Sequence, residues 1–99
     1  MLPDGWCCYL LLCSDDSYYS GITSNLLHRI RDHAHGRGGA YTKSTKPLAL
    51  VWYALERDRH SAAKRELQIK NWGNEKKKKL ASGDQLFAGM GTCVWVSLG

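Results

Sequence analysis

The chain has 99 residues, and its 14 lysines and arginines against nine aspartates and glutamates give a formal net charge of +5. A chain of this length forms one domain around a single hydrophobic core, which excludes a multidomain architecture. The positive charge favours an anionic partner, and nucleic acid is the first candidate.

The four cysteines argue against a structural zinc site. They lie at positions 7, 8, 13 and 93, with no C-x-x-C spacing and no histidine pair at zinc-finger spacing. Cys7 and Cys8 lie in an apolar run, which is typical of buried thiols in a reducing compartment. The N-terminus lacks a basic flank, and residues 9–13 are too short for a signal core or a membrane span. We therefore expect a cytoplasmic protein without a membrane partner.

The first part of the chain predicts a β-hairpin followed by a helix. Residues 6–13 (WCCYLLLC) are an apolar run of strand length, SDDS is a turn signal, and YYSGIT at residues 18–23 predicts a second strand. Ser24 is a suitable N-cap for a helix that ends near Gly36. The apolar stripe predicted for this helix consists of Leu26, Leu27, Ile30 and Ala34.

The rest of the chain predicts one more strand and two helices. LALVWYAL at residues 48–55 predicts the third strand, and a helix runs from about Arg59 to Trp72. NEKKKKLA at residues 74–81 predicts a short basic helix, and a late strand is suggested around residues 92–97. The predicted fold is an α/β (α+β) sandwich in the order β-β-α-β-α-α, with a three-stranded, mainly antiparallel sheet flanked by helices.

Arg29 and His33 lie four residues apart along one edge of the stripe on the first helix. At this edge, both side chains would point along the groove between helix and sheet. A boundary arginine that extends its head group into solvent, with a histidine at the helix end, explains the pattern equally well. The helix alone leaves the structural and the functional interpretation open.

Glu66 falls in the middle of the apolar face predicted for the second helix, formed by Ala62, Ala63, Leu67 and Ile69. A carboxylate facing the core must be paired, protonated or bound to a metal ion, because an unpaired buried charge costs several kcal/mol. An i, i+4 pair with Lys70 is the structural explanation, and a metal ligand is the functional one.

The order of these features resembles the GIY-YIG nuclease domain over residues 5–81. The resemblance rests on Tyr9, YSG at 19–21, LLHRIRDH at 26–33, GGAYTKSTKPLALVWY at 38–53 and AAKRELQIKNWGNEKKKKL at 62–80. The chain is similar to the small stand-alone bacterial members, and to the nuclease domains of the bacterial excinuclease and of structure-specific endonucleases. The two signature triplets are CCY and YSG, which keep both tyrosines and the glycine. Residues 82–99 match nothing in the family and are taken as a C-terminal extension of unknown role.

The resemblance implies a metal-dependent endonuclease that hydrolyses phosphodiester bonds, in DNA rather than RNA, with branched or damaged structures as candidate substrates. Tyr9 would be the general base, and Glu66 would bind a single Mg²⁺ or Mn²⁺ ion, since a lone carboxylate suits a hydrated ion better than a two-metal site. An unperturbed phenol titrates at about pH 10. We therefore expect nearby cations, Arg29 or Lys70, to favour the phenolate form of Tyr9.

The same resemblance gives roles to three further residues. Tyr19 would orient the attacking water or the phosphate. Arg29 would bind phosphate oxygens through its fixed fork of donors, which a lysine does not reproduce. His33 would bind phosphate or take part in proton transfer. With Tyr9 and Glu66, these residues complete the predicted catalytic set.

The register of the hairpin tests this interpretation. Tyr9 and Tyr19 share a face only if the numbers of paired residues have an even sum, as with Cys13 opposite Tyr19 and residues 15–17 as the loop. Gly21 would leave space for the close approach of a helix or the substrate. Asp16, near the centre of the loop, would accept a left-handed conformation.

Basic and hydroxyl-bearing residues around the predicted site are expected to bind the phosphate backbone. In the segment GRGGAYTKSTK, Tyr41 would either stack on a base or pack. The lysine run at residues 76–79 is either a phosphate-contacting face or a solvated helix surface. The predicted nucleic-acid-binding residues are Gly21, Arg37, Tyr41, Lys43, Lys46, Lys70, Lys76, Lys77, Lys78 and Lys79.

Two functions of other classes stay open at this point. A nucleic-acid-binding module would keep the fold without turnover, with Glu66 paired to Lys70. An interaction module of a repair complex would use the apolar tail after Leu86. A protein partner that supplies specificity is also compatible with so short a chain. Metal-dependent cleavage that is lost in Glu66→Gln would distinguish the enzyme from both modules.

Overall fold

The computed structural model describes residues 2–36 and 45–98, and its elements follow the predicted order with one strand added at the end. They are β1 (Asp4–Cys13), β2 (Tyr18–Asn25), α1 (Leu26–Ala34), β3 (Pro47–Leu55), α2 (Arg59–Lys70), α3 (Asn74–Ala81) and β4 (Thr92–Ser97). A short 3₁₀ helix at Gln85–Phe87 precedes β4. None of the described helices is long and apolar enough to cross a membrane.

The described strands form one antiparallel sheet in the order β2-β1-β3-β4. The predicted sheet of three strands is therefore one strand short, because the late strand suggested by the tail does form and pairs with β3. Val94 and Val96 of β4 turn toward the apolar cluster on one face of the sheet, and this alternation is typical of a half-buried strand. The addition leaves β2 and β4 as the two outer strands.

The core consists of two apolar clusters, one on each face of the sheet. The cluster on the side of α1, which includes residues of that helix, consists of Cys7, Tyr9, Leu11, Leu26, Ile30, Leu50 and Leu98. The cluster on the side of α2 and α3, which includes residues of both helices, consists of Cys8, Leu10, Ala49, Val51, Trp52, Ala54, Ile69, Leu80 and Phe87. The period of two along β1 sends its odd-numbered residues to the first cluster and its even-numbered residues to the second. The predicted burial of Cys7 and Cys8 is confirmed.

The hairpin pairs Tyr9 with Gly21 and Leu11 with Tyr19. The sum of paired residue numbers is even, so the prediction that Tyr9 and Tyr19 share a face is confirmed. The predicted pairing of Cys13 with Tyr19 is wrong by two residues along β1. The site depends on the parity of the register, which is the same for both pairings.

The hairpin loop explains this difference. The Cys13 N–H donates to the Ser17 carbonyl at 2.9 Å, and the Asp16 N–H donates to the Cys13 carbonyl at 3.0 Å. Ser17 therefore belongs to the closing pair, and the loop comprises residues 14–16 rather than 15–17. Asp16 has φ 64°, which confirms the predicted left-handed conformation and is typical of the last residue in a loop of this length.

Helix α1 begins one residue later than predicted. Its N-cap is Asn25, whose side-chain oxygen accepts a hydrogen bond from the His28 N–H at 3.0 Å. The predicted cap, Ser24, is still part of β2. Both residue types can accept this bond, so the end of the strand decides which of them caps the helix.

The buried stripe of α1 differs from the predicted one. Leu26, Ile30 and His33 are buried, whereas Leu27 is 46 % exposed and Ala34 is also exposed. The spacing of four and then three residues keeps the buried set on one helix face. The predicted stripe was defined by the most apolar residues of the helix. His33 was therefore placed at the edge of the stripe, whereas it lies beneath the helix.

The inward face of α2 passes through Glu66. Ala62 and Ile69 are fully buried, and Glu66 lies between them at helical spacing and is half-buried. Leu67 is 60 % exposed, so its predicted place on the apolar face is wrong. Ala63 is half-buried. The carboxylate, and not Leu67, is turned toward the sheet.

Candidate active site

Tyr9 and Tyr19 lie side by side on the face of the sheet that α1 covers. Their ring centroids are 6.4 Å apart, with an angle of 47° between the planes. Tyr9 is only 2 % exposed, whereas Tyr19 is half-buried. The hydroxyl of Tyr9 therefore lies in a largely desolvated environment at the inner end of the pair.

The ring of Tyr9 lies across Gly21, its partner on β2. A Cβ at position 21 would lie 2.6 Å from both Cζ and Oη of Tyr9. The close approach expected at this glycine is thus made by Tyr9, and neither a helix nor a substrate is needed to explain it. The missing side chain leaves space for a tyrosine that crosses from the adjacent strand.

Gly21→Ala is expected to destabilise the fold by about 1–3 kcal/mol, the usual cost of overpacking. The added methyl group would collide with Cζ and Oη of Tyr9. Urea unfolding measures the free energy, and the same substitution in a Tyr9→Leu background is the control, because leucine lacks both atoms. An equal cost in the two backgrounds would show that the collision is not the cause.

His33 lies against both tyrosines from α1. Its Nε2 is 2.9 Å from the Tyr9 Oη, and its ring centroid lies 5.8 Å from that of Tyr9 and 5.7 Å from that of Tyr19, with edge-on contacts. The side chain is 2 % exposed. The predicted place at the edge of the groove is therefore wrong for His33, which points inward beneath the helix.

Burial keeps the Tyr9–His33 pair in its neutral form. It raises the pKa of Tyr9 above the ordinary range, Tyr19 raises it further, and the Arg29 charge lowers it by less. Burial, followed by the Arg29 charge, lowers the pKa of His33 to about 4. Arg29 favours the phenolate, as expected of a nearby cation, but desolvation outweighs its charge, so the pKa of Tyr9 is raised and not lowered. A neutral imidazole with its proton on Nδ1 can accept the hydrogen bond from the phenol.

Arg29 lies one turn before His33 and is half-buried, as its predicted edge position requires. It lines the same cleft as Tyr9 and Tyr19. Its charge affects the pKa of both Tyr9 and His33. The structure therefore places a guanidinium, with its planar set of N–H donors, beside the tyrosine pair.

Glu66 reaches the site from the other face of the sheet. Its Oε2 accepts a hydrogen bond of 3.2 Å from the Ser20 hydroxyl on β2. Among the ion pairs of residues 2–36 and 45–98, none joins Glu66 to Lys70. The structural explanation based on an i, i+4 pair therefore lacks its contact, and the partner of the carboxylate is a strand hydroxyl.

A cleft of about 580 Å³ joins the two groups around the outer edge of β2. Because successive strand residues face opposite sides, Tyr19 lies with Tyr9, and Ser20 lies with Glu66. The cleft is lined by Tyr9, Tyr18, Tyr19, Ser20, Gly21, Ile22, Arg29, Glu66, Lys70 and Lys77. His33 lies behind Tyr9 and is not part of this lining.

Residues 5–79 match the family described as the GIY-YIG catalytic domain. The chain belongs to the GIY-YIG family. The match covers β1 to most of α3, and therefore all the elements that carry the cleft. The match confirms the resemblance to the GIY-YIG nuclease domain that the sequence motifs indicated.

Similar relatives are UPF0213 proteins, which are small stand-alone GIY-YIG proteins. The one from Haloquadratum walsbyi is 40% identical over 73 residues, covering 74% of this chain and 82% of the relative. That from Desulfotalea psychrophila is 37% identical over 81 residues, covering 81% and 74%. A third, from Staphylococcus haemolyticus, is 36% identical over 72 residues, covering 73% and 88%. The comparison with solved structures finds no match.

The GIY-YIG domain indicates a nuclease family, whose substrate is nucleic acid and whose members generally use divalent metal ions. No set of three or more His, Cys, Asp and Glu side chains within the described ranges could hold a metal ion. A single carboxylate at an open cleft nevertheless suits Mg²⁺, which keeps several waters and is completed by substrate phosphates. Glu66 is a carboxylate at this cleft that could hold such an ion.

The predicted nucleic-acid-binding residues of the GIY-YIG domain divide into three groups. Those lining the cleft are Gly21, Lys70 and Lys77. Those at the surface and outside its lining are Lys46, Lys76, Lys78 and Lys79, with the Lys76 ammonium 4.4 Å from the centre of the Trp72 ring. Those outside the described residues are Arg37, Tyr41 and Lys43.

Ser20 and Tyr18 line the cleft but were not among the predicted site residues. Both lie on the face of β2 opposite Tyr19, so strict alternation along YYSGI assigns them to the side of Glu66. The sequence did not show that α2 packs on that face. The contact between the Ser20 hydroxyl and Glu66 could therefore not be inferred from the sequence.

Proposed function

We propose that this GIY-YIG protein is a metal-dependent endonuclease that hydrolyses phosphodiester bonds in DNA, with branched or damaged structures as candidate substrates. The observation that carries the proposal is the convergence of Tyr9, Arg29 and Glu66 on one cleft from β1, α1 and α2. Hydrolysis needs a proton acceptor for water, positive charge at the phosphate and help for the departing oxygen. The three side chains match these needs.

Tyr9 accepts the proton of the attacking water and passes its own proton to His33. The support is the 2.9 Å contact between Oη and Nε2. The water proton moves to the phenol oxygen, the phenol proton moves to Nε2, and the hydroxide oxygen bonds to phosphorus as the 3′ oxygen leaves. Because His33 is buried behind Tyr9, proton transfer suits it better than phosphate binding.

Arg29, Tyr19 and Glu66 act on the phosphate side of the reaction. The Arg29 guanidinium donates to the non-bridging oxygens, and the Tyr19 hydroxyl orients the water or the phosphate. Glu66 would hold a Mg²⁺ or Mn²⁺ ion, which would supply positive charge to neutralise the phosphoryl group and the leaving oxygen. The electrostatic work is thus divided between α1 and α2, on opposite sides of β2.

The nucleic acid chain extends from the cleft along α2 and α3. Lys70 and Lys77 line the cleft on the side of Glu66 and contact phosphates near the cleaved bond. Lys76, Lys78 and Lys79 add positive charge further along α3. A partner protein would supply the specificity that so small a surface lacks. Buried thiols at Cys7 and Cys8 suit a reducing cytoplasm.

The proposal is tested by incubating the protein with plasmid, branched DNA and RNA in Mg²⁺ or Mn²⁺, while binding is followed by gel shift. We expect cleavage of DNA with either ion and none in the presence of a chelator, with binding unaffected. The chelator sample is the control for contaminating metal-independent nucleases. Salt-sensitive binding without cleavage of any substrate would instead identify a nucleic-acid-binding module.

A further inference from the structure

Ser20 lies on the face of β2 that packs beneath α2, between two residues that contact the core. Its neighbours on this face, Tyr18 and Ile22, pack against the apolar cluster, and Leu10, opposite Ser20 on β1, is fully buried. Such a strand position ordinarily holds an apolar side chain. The hydroxyl therefore departs from the pattern of its own face.

The hydroxyl of Ser20 contacts one oxygen of Glu66. It donates to Oε2 at 3.2 Å, and a hydrogen bond to a charged acceptor is stronger than one between neutral groups. No hydrogen bond to Oε1 is formed by the side chains that the structure describes. One carboxylate oxygen is thus held by the strand, while the second is left for other ligands.

A glutamate at the rim of a cleft has three torsions to restrain before it can hold an ion in one position. Freezing such a side chain costs rotamer entropy. A carboxylate that already accepts a hydrogen bond from a fixed hydroxyl bears part of this cost in the folded protein. Hydrogen-bond partners of this kind orient metal ligands, and their loss typically weakens metal affinity about 10- to 100-fold.

We propose that Ser20 is a positioning residue for the metal site, holding the Glu66 carboxylate in the orientation that binds the divalent ion. The inference rests on the proposed function, because it takes Glu66 as the metal ligand. It also gives a reason for the serine in the YSG triplet. Ser20 itself need not contact the ion, the water or the DNA.

The test compares Ser20→Val with Ser20→Thr. The two variants have the same shape and suit a strand equally well, but only threonine keeps a hydroxyl. Binding of Mn²⁺ alone is measured from the electron paramagnetic resonance signal of the free ion, with Glu66→Gln as the variant without the ligand. We expect Ser20→Val to bind Mn²⁺ about tenfold more weakly than wild type, and Ser20→Thr to bind it nearly as well.

Cleavage provides a second readout. In Ser20→Val, the Mn²⁺ concentration for half-maximal cleavage should rise by a similar factor, while the rate at saturating Mn²⁺ approaches that of wild type. Thermal unfolding verifies that both variants fold, and Ser20→Ala replaces Ser20→Val if the valine is not tolerated. A purely structural role would alter unfolding but not the metal dependence.

The outcomes separate this inference from the proposed function. Wild type that cleaves DNA, together with Ser20→Val that binds Mn²⁺ as tightly as Ser20→Thr, would overturn the role of Ser20 and leave the endonuclease intact. Wild type without Glu66-dependent Mn²⁺ binding and without cleavage would overturn both.

Discussion

Glu66→Gln is expected to abolish metal-dependent cleavage while leaving the fold and DNA binding intact. The glutamine keeps the size of the side chain. Its carbonyl oxygen can still accept the hydrogen bond that the Ser20 hydroxyl donates to Oε2 of Glu66 in the wild type. It lacks the charge that would hold a cation. Since a catalytic metal contributes several kcal/mol, the rate should fall about a thousandfold or more. Single-turnover cleavage in Mg²⁺ and in Mn²⁺ measures the loss, and gel shift measures binding.

Glu56→Gln is the matched control for this substitution. It makes the same change of charge at a carboxylate that pairs with Arg65 at 3.4 Å and does not line the active-site cleft. We expect cleavage by Glu56→Gln to remain within a few-fold of wild type. Full activity in Glu66→Gln would contradict the metal-ligand role, and equal losses in both variants would point to a general effect of charge.

Tyr9→Phe is expected to lower the cleavage rate by about 100- to 10,000-fold, the usual range for loss of a general base. The substitution removes only Oη, so the ring still lies over Gly21 and the packing is retained. The control is Tyr53→Phe, because Tyr53 lies opposite Tyr9 on β3, packs against the same cluster and does not line the cleft. An active Tyr9→Phe protein, or a Tyr53→Phe protein that is equally impaired, would exclude Tyr9 as the base.

The pH dependence of wild type provides a second readout of this role. His33 must be neutral to accept the proton, and its pKa is lowered to about 4. The cleavage rate should therefore show no loss with a midpoint near 6.5, the ordinary histidine value, as the pH falls from 7.5 to about 5.5. A loss centred near 6.5 that disappears in His33→Gln would show that the imidazole titrates normally and contradict its buried, neutral state.

Local patterns were sufficient to predict most of the fold. The apolar runs and turn residues define β1 to β3, and the basic run ending at Leu80 defines α3. Pairing parity followed from requiring Tyr9 and Tyr19 to share a face. The exact pairing could not be predicted in this way, because loops of several lengths give the same parity. The hydrogen bond between Cys13 and Ser17 determines which loop forms. The strand after Thr92 needed β3 as a template, which local pattern does not reveal.

The site was predictable where helical or strand spacing alone places a side chain. Spacing put Glu66 on the inward face of α2 and Arg29 at an edge of α1. It failed for His33, because hydrophobicity ranked Leu27 and Ala34 above a histidine that hydrogen bonding to Tyr9 makes tolerable in the core. The state of the phenol also escaped sequence reasoning, since the balance of desolvation against Arg29 depends on burial.

Because β2 contributes side chains to the cleft from both of its faces, the effect of an insertion or deletion depends on where in the hairpin it occurs. Insertions in the loop at residues 14–16 lengthen a turn and leave the strand pairs beyond it unchanged. A single-residue insertion or deletion between Tyr19 and Gly21 would instead exchange the two sides of the strand beyond it. The space required by Tyr9 and the hydroxyl facing Glu66 could not then both be kept. Changes of length at the tip of the hairpin thus preserve the two sides of β2, whereas those a few residues later exchange them.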